Sequence, residues 1–178
     1  MYSMITIGPR SRSGIYLEST NAEALGVHPG EDRLVRDVMH SEVATVDVSA
    51  TVKEATQIMR NRDLSILVVC RCKEPILALT EYDMVISGAA HVDGSGPATL
   101  REITKKRQLV RCREDAILAD AIHAMMDHHA RHVPVINAQG DLIGVLSLVD
   151  ALGAVTPEAA AVWLTKMRQS TVQAPESV

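Results

Sequence analysis

The sequence contains no phenylalanine, and its three tyrosines and one tryptophan bring the aromatic share to only 2% of 178 residues. Proteins that bind single-stranded nucleic acid stack bases on aromatic side chains, and this chain has too few for such a surface. Acidic residues outnumber basic ones by 22 to 18, and Lys105-Lys106-Arg107 is the only dense basic run. Because binding through phosphate neutralisation needs a basic protein or a basic face, the composition argues against a nucleic-acid partner.

Long apolar runs are also missing, and none approaches the roughly 18 residues that a membrane-spanning helix needs. The basic residues near the N-terminus are not followed by the apolar segment of a secretion signal. The number of cysteines, 3, is odd, so a disulfide framework is not expected. With 47% apolar and 22% charged residues, the chain has the composition of a globular protein. We therefore expect an aliphatic core, a cytoplasmic location and no membrane partner.

Two stretches of the chain repeat one pattern. Ala55 matches Ala121 at a separation of 66 residues, and Asp83 matches Asp150 at a separation of 67, so one residue is inserted near His129. In each copy, apolar residues at helical spacing are followed by two short apolar runs and a second helix start. Each copy is predicted to fold as strand, helix, strand, strand, helix. Since a unit of about 55 residues buries too little surface alone, the two should pack together.

The other segments are less regular. Residues 1–34 match neither copy and predict an irregular arm with one short strand at 15–17. Glycine-rich residues 88–99 predict a flexible linker. Thr156-Pro157-Glu158 is a typical helix start, and the apolar side of that helix would consist of Val162, Trp163 and Met167. The predicted units are the arm at 1–34, a first repeat at 35–87, the linker at 88–99, a second repeat at 100–153, and a helix with its tail at 154–178.

The order of elements and three motifs resemble a known family. The motifs are Asp37-Val38-Met39, His132-Val133-Pro134-Val135-Ile136-Asn137 and Gly144-Val145-Leu146-Ser147-Leu148-Val149-Asp150. Across residues 35–152 the chain resembles a tandem pair of cystathionine β-synthase (CBS) domains, also called a Bateman module. The resemblance implies an α+β fold of two βαββα repeats related by pseudo-twofold symmetry. It also implies two clefts for adenosyl ligands (AMP, ADP, ATP, NAD or S-adenosylmethionine) and assembly as a homodimer.

Both copies place a hydroxyl residue at the end of the last strand and an aspartate three residues later, Thr80 with Asp83 and Ser147 with Asp150. This spacing is typical of a helix cap, in which the two side chains satisfy backbone N–H groups. The same geometry suits a nucleotide, because a helix N-terminus attracts phosphate and a carboxylate can accept hydrogen bonds from two ribose hydroxyls. Both interpretations stay open, and the repetition favours nucleotide binding at one site at least.

The resemblance also implies which residues would surround each ligand, with the aspartate from one repeat and the adenine pocket from the other. One predicted cleft combines Ser147 and Asp150 with Thr45, Val46, Ser65 and Ile66. The other predicted cleft combines Thr80 and Asp83 with Arg111, Cys112, His132 and Val133. His132 and Arg131 would reach the phosphates. Gly144 would allow close approach of a ligand, whereas Leu77 at the equivalent position would narrow or close the other cleft.

Metal binding and catalysis have less support. His128 and His132 are four residues apart, but the repeat places His132 on a strand, outside the helix that would align them. Cys70 and Cys72 share one face of a predicted strand without a second pair, which favours two ordinary cysteines. The sequence has no nucleophile elbow, Walker loop or Gly-x-Gly-x-x-Gly motif. We therefore expect no metal and no enzymatic activity.

The sequence favours a regulatory module that binds an adenine nucleotide, AMP or ATP above all. It would form a homodimer and act on an unknown protein in trans. One alternative is a dimerisation scaffold without a ligand, in which the helix that contains Trp163 docks a partner. A second alternative is a redox- or metal-responsive sensor that uses Cys70, Cys72 and the histidines.

Overall fold

The computed structural model describes residues 4–9, 33–89, 99–105 and 109–172, and the statements below concern these residues. The strands are β1 (Met4–Ile7), β2 (Thr45–Asp47), β3 (Ile66–Arg71), β4 (Glu74–Thr80), β5 (Leu109–Arg113), β6 (His132–Ile136) and β7 (Leu142–Ser147). The helices are α1 (Val52–Asn61), α2 (Glu81–Ala89), α3 (Leu100–Lys105), α4 (Leu118–Asp127), α5 (Leu148–Gly153) and α6 (Pro157–Val172), with a short 3-10 turn at Val35–Asp37. None of these helices is long and apolar enough to cross a membrane.

The predicted duplication is confirmed, because β2-α1-β3-β4-α2 and β5-α4-β6-β7-α5 have the same order of elements. In both copies the first strand runs parallel to the second, and the second and third strands form an antiparallel hairpin. The two sheets, ordered β2-β3-β4 and β1-β5-β6-β7, meet through contacts of β4 with β5, β6 and β7. Val68, Ala78 and Val145 are buried at this junction. The site described below forms where the two repeats meet.

The duplication extends to the way in which α1 and α4 end. Asp63 and His129 follow the two helices at equivalent positions, and both have a φ of 51°. The Leu64 N–H then donates to the Met59 carbonyl at 2.9 Å, and the equivalent bond after α4 measures 2.7 Å. These bonds form a Schellman motif, which usually places glycine at the left-handed residue. The two repeats therefore leave their first helix through the same hydrogen-bonded turn.

The segment before each repeat packs into the core of the other repeat. Val35 is fully buried in the second repeat, and its N–H donates to the Ala116 carbonyl at 3.0 Å. Leu100 is fully buried in the first repeat, and its N–H donates to the Ala50 carbonyl at 2.9 Å. Because each segment completes the core of the opposite unit, neither repeat keeps its full core without the other.

The N-terminal arm differs from its prediction. Residues 4–7 form β1, which runs parallel to β5 with Met4 opposite Leu109 and Ile7 opposite Cys112. The prediction of an irregular arm is therefore wrong for these residues, while the strand predicted at 15–17 lies outside the described residues. Such a short segment shows no periodicity of its own, because its strand conformation depends on a partner about 100 residues away in the sequence.

Pro134 lies in the middle of β6, opposite Val145, although proline usually occurs at a strand start or on an edge because it cannot donate a hydrogen bond. Val145 directs its N–H and C=O to His40, with two hydrogen bonds of 2.9 Å. The pairing of β6 with β5 begins only at Val135. The missing N–H of Pro134 therefore costs the sheet no hydrogen bond, which explains why proline is tolerated inside this strand.

The C-terminal helix α6 begins at Pro157, as predicted. Trp163 is only 5% exposed and packs into the core of the second repeat, where its ring meets the His123 ring edge-on at 3.9 Å between centroids. Val162 is exposed, so its assignment to the apolar side is wrong, and the side chain of Met167 lies outside the described residues. Since Trp163 is buried within its own chain, a partner that docks on α6 would contact its exposed residues, Val162 and Leu164, and not Trp163.

The hairpin between β3 and β4 provides a stability test. Arg71 pairs with Glu74, so Cys72 and Lys73 alone form the turn, with φ values of 48° and 69°. Two central residues with positive φ define a type I′ turn, which favours glycine at its second position. Lys73→Gly is therefore expected to raise the free energy of unfolding by about 0.5–1 kcal/mol in urea denaturation. Gln57→Gly, in the middle of α1, should instead lower it by about 1 kcal/mol; a loss of stability in both variants would contradict the turn assignment.

Candidate functional site

A cavity of about 620 Å³ lies between the two repeats. The end of β4 and the first turn of α2, residues 80–83, form one wall, and residues 128–132 of the second repeat form another. The apolar side chains of Ile66, Leu77 and Ala78 also line it. Its volume is within the range that holds drug-sized ligands and cofactors. Leu77 therefore lines this cleft without closing it, and the prediction that it could close the cleft is wrong.

Thr80 and Asp83 form a reciprocal cap at the start of α2. The backbone N–H and the hydroxyl of Thr80 both donate to Asp83 Oδ2 at 2.8 Å, and the Asp83 N–H donates to Thr80 Oγ1 at 3.3 Å. The capping interpretation of this sequence pattern is therefore confirmed. It does not compete with ligand binding, because an ionised carboxylate offers about four lone-pair sites.

The wall from the second repeat is basic. Arg131 places its guanidinium carbon 5.8 Å from the centre of the Tyr82 ring, a cation–π contact that joins the two walls. His132 begins β6 and is half-buried. Burial lowers the pKa of His132, the charges of Asp83 and Asp150 act in the opposite direction, and the charge of Arg131 lowers it further. The cavity thus combines carboxylates, a guanidinium and an imidazole that favours its neutral form.

The second hydroxyl–aspartate pair has different contacts. Ser147 Oγ accepts hydrogen bonds from the N–H groups of Val149 at 3.1 Å and Asp150 at 3.3 Å, and so caps α5. Asp150 Oδ2 lies 3.0 Å from His40 Nε2, a contact that spans 110 residues of sequence. The carboxylate that should accept ribose hydroxyls is therefore bound to an imidazole from the first repeat.

Gly144 is approached by the protein itself. A Cβ atom at this position would lie 2.6 Å from the His40 carbonyl oxygen and 2.9 Å from Met39 Sδ. The absence of a side chain is needed because the segment that contains Met39 and His40 pairs with β7 at this point. The expectation that Gly144 provides room for a ligand is therefore wrong in this structure.

Of the residues predicted to form the cleft beside Thr80 and Asp83, three line the cavity together, namely Thr80, Asp83 and His132. The side chains of Cys112 and Val133 instead belong to the core of the second repeat. Burial raises the pKa of the Cys112 thiol to about 12, so it stays protonated. Only the backbone of these two residues could face a ligand.

Arg111, also predicted for this cleft, has partners elsewhere. Its Nη1 lies 2.7 Å from Glu74 Oε1, and its Nε–H donates to Thr6 Oγ1 at 3.0 Å. These contacts connect β5 to the start of β4 and to β1, whereas the cavity lies at the other end of β4. The side chain therefore joins the two sheets and does not line the cavity.

The residues predicted to form the cleft beside Ser147 and Asp150 lie in different parts of the structure. Ser65 and Ile66 line the cavity beside Thr80 and Asp83, and not a cleft beside Ser147. Val46 is buried in the core of the first repeat, and Thr45 is exposed on β2. The structure thus brings parts of both predicted groups into one cavity.

Several residues of the site were not predicted from the sequence. His128 and His129 directly follow α4, which ends at Asp127, and both residues line the cavity. The residue inserted near His129 was the available signal, because it lengthens this connection relative to the first repeat. For His40 no local signal exists, since its partner is distant in sequence.

A metal centre has no support in the described part of the chain, where no three His, Cys, Asp or Glu residues are grouped to hold an ion. Cys72 has a φ of 48° in the β3–β4 turn, so the prediction that it shares a strand face with Cys70 is wrong. Burial and the charge of Asp47 raise the pKa of Cys70, which disfavours a reactive thiolate.

The geometry agrees with a comparison to known families, in which the CBS domain model matches residues 35–85 and 100–156. The chain belongs to the CBS domain family. Its two matched segments coincide with the two halves of the duplication, and CBS pairs are generally regulatory. Among relatives, hypoxic response protein 1 of Mycobacterium tuberculosis is 30% identical over 116 residues, which is 65% of this chain and 80% of that protein. The uncharacterized protein MK0525 of Methanopyrus kandleri is 28% identical over 119 residues, or 66% of this chain and 60% of that one.

Solved structures show the same fold. The crystal structure of hypoxic response protein I, which contains two coordinated zinc ions, has a TM-score of 0.58 at 27% identity and covers 69% of this chain and 99% of that chain. The CBS domain pair of MJ0100, in complex with 5-methylthioadenosine and S-adenosyl-L-methionine, has a TM-score of 0.53 at 17% identity over 66% of this chain and 95% of that one. The cytosolic domain of the Mg²⁺ channel MgtE, in complex with ATP, has a TM-score of 0.54 at 19% identity over 70% of this chain and 50% of that one. The last two likenesses concern the fold alone.

Proposed function

We propose that this CBS pair binds an adenine nucleotide in the cavity beside Thr80 and Asp83 and acts as a cytoplasmic regulatory module for a protein on another chain. The observation that carries the proposal is the cavity of about 620 Å³ with a capped aspartate on one wall and a basic segment on the other. An adenosyl ligand needs these same groups, with a carboxylate for its sugar and cations for its phosphates.

Each part of the ligand has a chemically suitable partner. The Asp83 carboxylate accepts hydrogen bonds from ribose hydroxyls, and the start of α2 lies beside it. Arg131 and His132 lie where they can attract phosphate, and both come from the other repeat. The aliphatic side chains of Ile66 and Leu77 provide apolar surface for the adenine ring. A bound nucleotide would therefore contact both repeats at once.

A nucleotide that contacts both repeats can regulate the protein by changing how the repeats are placed relative to each other. A ligand shifts a protein between arrangements only if it binds one of them more tightly. Because the cavity is formed by both repeats, its affinity depends on how they are placed relative to each other. Two proteins of the same fold hold adenosyl compounds, namely MJ0100 with S-adenosyl-L-methionine and MgtE with ATP, which supports this class of ligand.

Isothermal titration calorimetry of the full chain with AMP, ADP, ATP, NAD and S-adenosylmethionine tests the proposal. We expect saturable binding of at least one phosphate-bearing ligand. S-adenosylmethionine serves as a comparison because it carries the adenosine without phosphate. If none of the four phosphate-bearing compounds gives saturable heat, the proposal is wrong.

The exposed apolar residues support a homodimer. Tyr82 is 63% exposed and Val149 79% exposed, and they occupy equivalent positions on α2 and α5, with Val85 at 64% nearby on α2. A second copy that packs against both helices would remove these large apolar side chains from water, which favours association. We propose that a second copy of the chain covers these two helices.

Val149→Glu tests this interface. A charge placed in an apolar contact is expected to raise the dimer dissociation constant at least about tenfold in sedimentation velocity experiments. Leu164→Glu is the matched control, because Leu164 is also exposed but lies on α6. A monomeric wild-type chain, or equal effects of both variants, would exclude this interface. A stable dimer combined with no ligand binding would favour the scaffold alternative.

A further inference from the structure

The basic wall of the cavity is unusually rich in histidine. His128, His129 and His132 all line it, together with Arg131. The equivalent of His132 in the first repeat is Ser65, which lines the same cavity without a charge. The histidines of the cavity therefore all come from the second repeat, on the wall that would meet the phosphate of a nucleotide.

Of these histidines, His132 is influenced by charged residues from both repeats. The charges of Asp83 on α2 and Asp150 on α5 act on it, and Arg131 precedes it. Asp150 is also bonded to His40, at 3.0 Å. The other ionisable residues that line the cavity are Glu81, Tyr82, His128 and His129. Burial outweighs the two carboxylates and lowers the pKa of His132 from 6.5, so the imidazole is neutral in the empty cavity at pH 7.

We propose that His132 takes up a proton when a phosphate group enters the cavity, so that ligand binding tightens as the pH falls. This inference rests on the proposed function and adds its regulation by pH. A phosphate near the imidazole favours the charged form, and the proton comes from the buffer. No other reactant is required.

The direction of the effect follows from linkage. The empty protein holds His132 neutral, with a pKa below 6.5, and the bound phosphate raises that pKa. Between the two values the complex holds more protons than the empty protein, so affinity increases as the pH decreases. Above the higher value and below the lower one, this residue contributes no pH dependence.

Calorimetry of the full chain with ADP, in PIPES and in Tris at pH 7.0, measures the protons taken up per ligand, because the two buffers differ in ionisation heat. We expect the wild type to take up about 0.5–1 more protons than His132→Gln, since one group changes its charge. Between pH 8.0 and 6.5, the dissociation constant of the wild type should fall about fivefold, and that of the variant less than twofold. His123→Gln is the matched control, because His123 lies on α4 and does not line the cavity.

Three results separate the two proposals. Equal proton uptake in the wild type and His132→Gln, with ADP bound by both, overturns the role of His132 and leaves the nucleotide site intact. Absence of ADP binding to the wild type overturns the proposed function, and titration with inorganic pyrophosphate then tests whether phosphate alone protonates His132. If His132→Gln does not fold, an NMR titration of the wild-type imidazole with and without ADP replaces it, and an unchanged pKa overturns the inference.

Discussion

Asp83→Asn is expected to weaken adenine-nucleotide binding by about 10- to 100-fold, whereas Asp150→Asn should change it by less than about threefold. The carboxylate of Asp83 belongs to the cavity wall, and a hydrogen bond from a neutral donor to a charged acceptor is worth about 1.5–3 kcal/mol. Asp150 has the same position in the second repeat, but it is not among the residues that line the cavity, and its carboxylate lies 3.0 Å from His40 Nε2. Two aspartates that are equivalent in sequence therefore have different expected contributions.

Asparagine is the appropriate substitution because it keeps an oxygen that can accept from Thr80. The cap at the start of α2 uses Asp83 Oδ2 for both of its bonds from Thr80, so an amide of the same shape preserves most of the helix start. Denaturation in urea should show a loss of no more than about 1 kcal/mol in either variant, which separates binding from folding. Equal loss of affinity in both variants would show that the ligand uses both aspartates, and loss in Asp150→Asn alone would place it in the other cleft.

The regular part of the fold could be predicted from the sequence because its signals are local. Helical spacing in α1 and α4, and the short apolar runs that follow them, depend on residues within one turn or one strand. The strand β1 could not be predicted, since residues 4–7 become a strand only through pairing with β5. The sequence also did not indicate that Val35 packs in the core of the second repeat and Leu100 in the core of the first. Hydrophobicity indicates that both residues are buried but not in which repeat.

The site shows the same division. The spacing of Thr80 and Asp83 indicates a cap at a helix start, and the structure forms that cap. The resemblance to CBS pairs placed His132 beside them, and all three residues line the cavity. The contact between His40 and Asp150 joins residues 110 positions apart, so neither periodicity nor a local motif could indicate it. Contacts between repeats depend on how the two units dock, which short-range patterns do not describe.

Gly144→Ala is expected to lower the free energy of unfolding by about 1–3 kcal/mol. The added Cβ would lie 2.6 Å from the His40 carbonyl oxygen, which is closer than side-chain carbons approach backbone oxygens in folded proteins. That oxygen cannot yield easily, because His40 and Val145 are joined by two backbone hydrogen bonds of 2.9 Å. The variant must therefore either strain β7 or displace the segment that contains His40, and overpacking of this kind typically costs this amount.

Gly153→Ala provides the matched control, because a Cβ at the end of α5 would have no atom within 4 Å. It should leave stability unchanged or raise it by up to about 1 kcal/mol, since alanine favours a helix more than glycine does. Urea denaturation of both variants measures the difference, and amide exchange at His40 locates it, because displacement of the segment would expose that N–H. Equal stability of the two variants would mean that the His40 segment moves at little cost. In that case the His40 side chain would also leave Asp150 readily, because the backbone of His40 is what holds it 3.0 Å from that carboxylate.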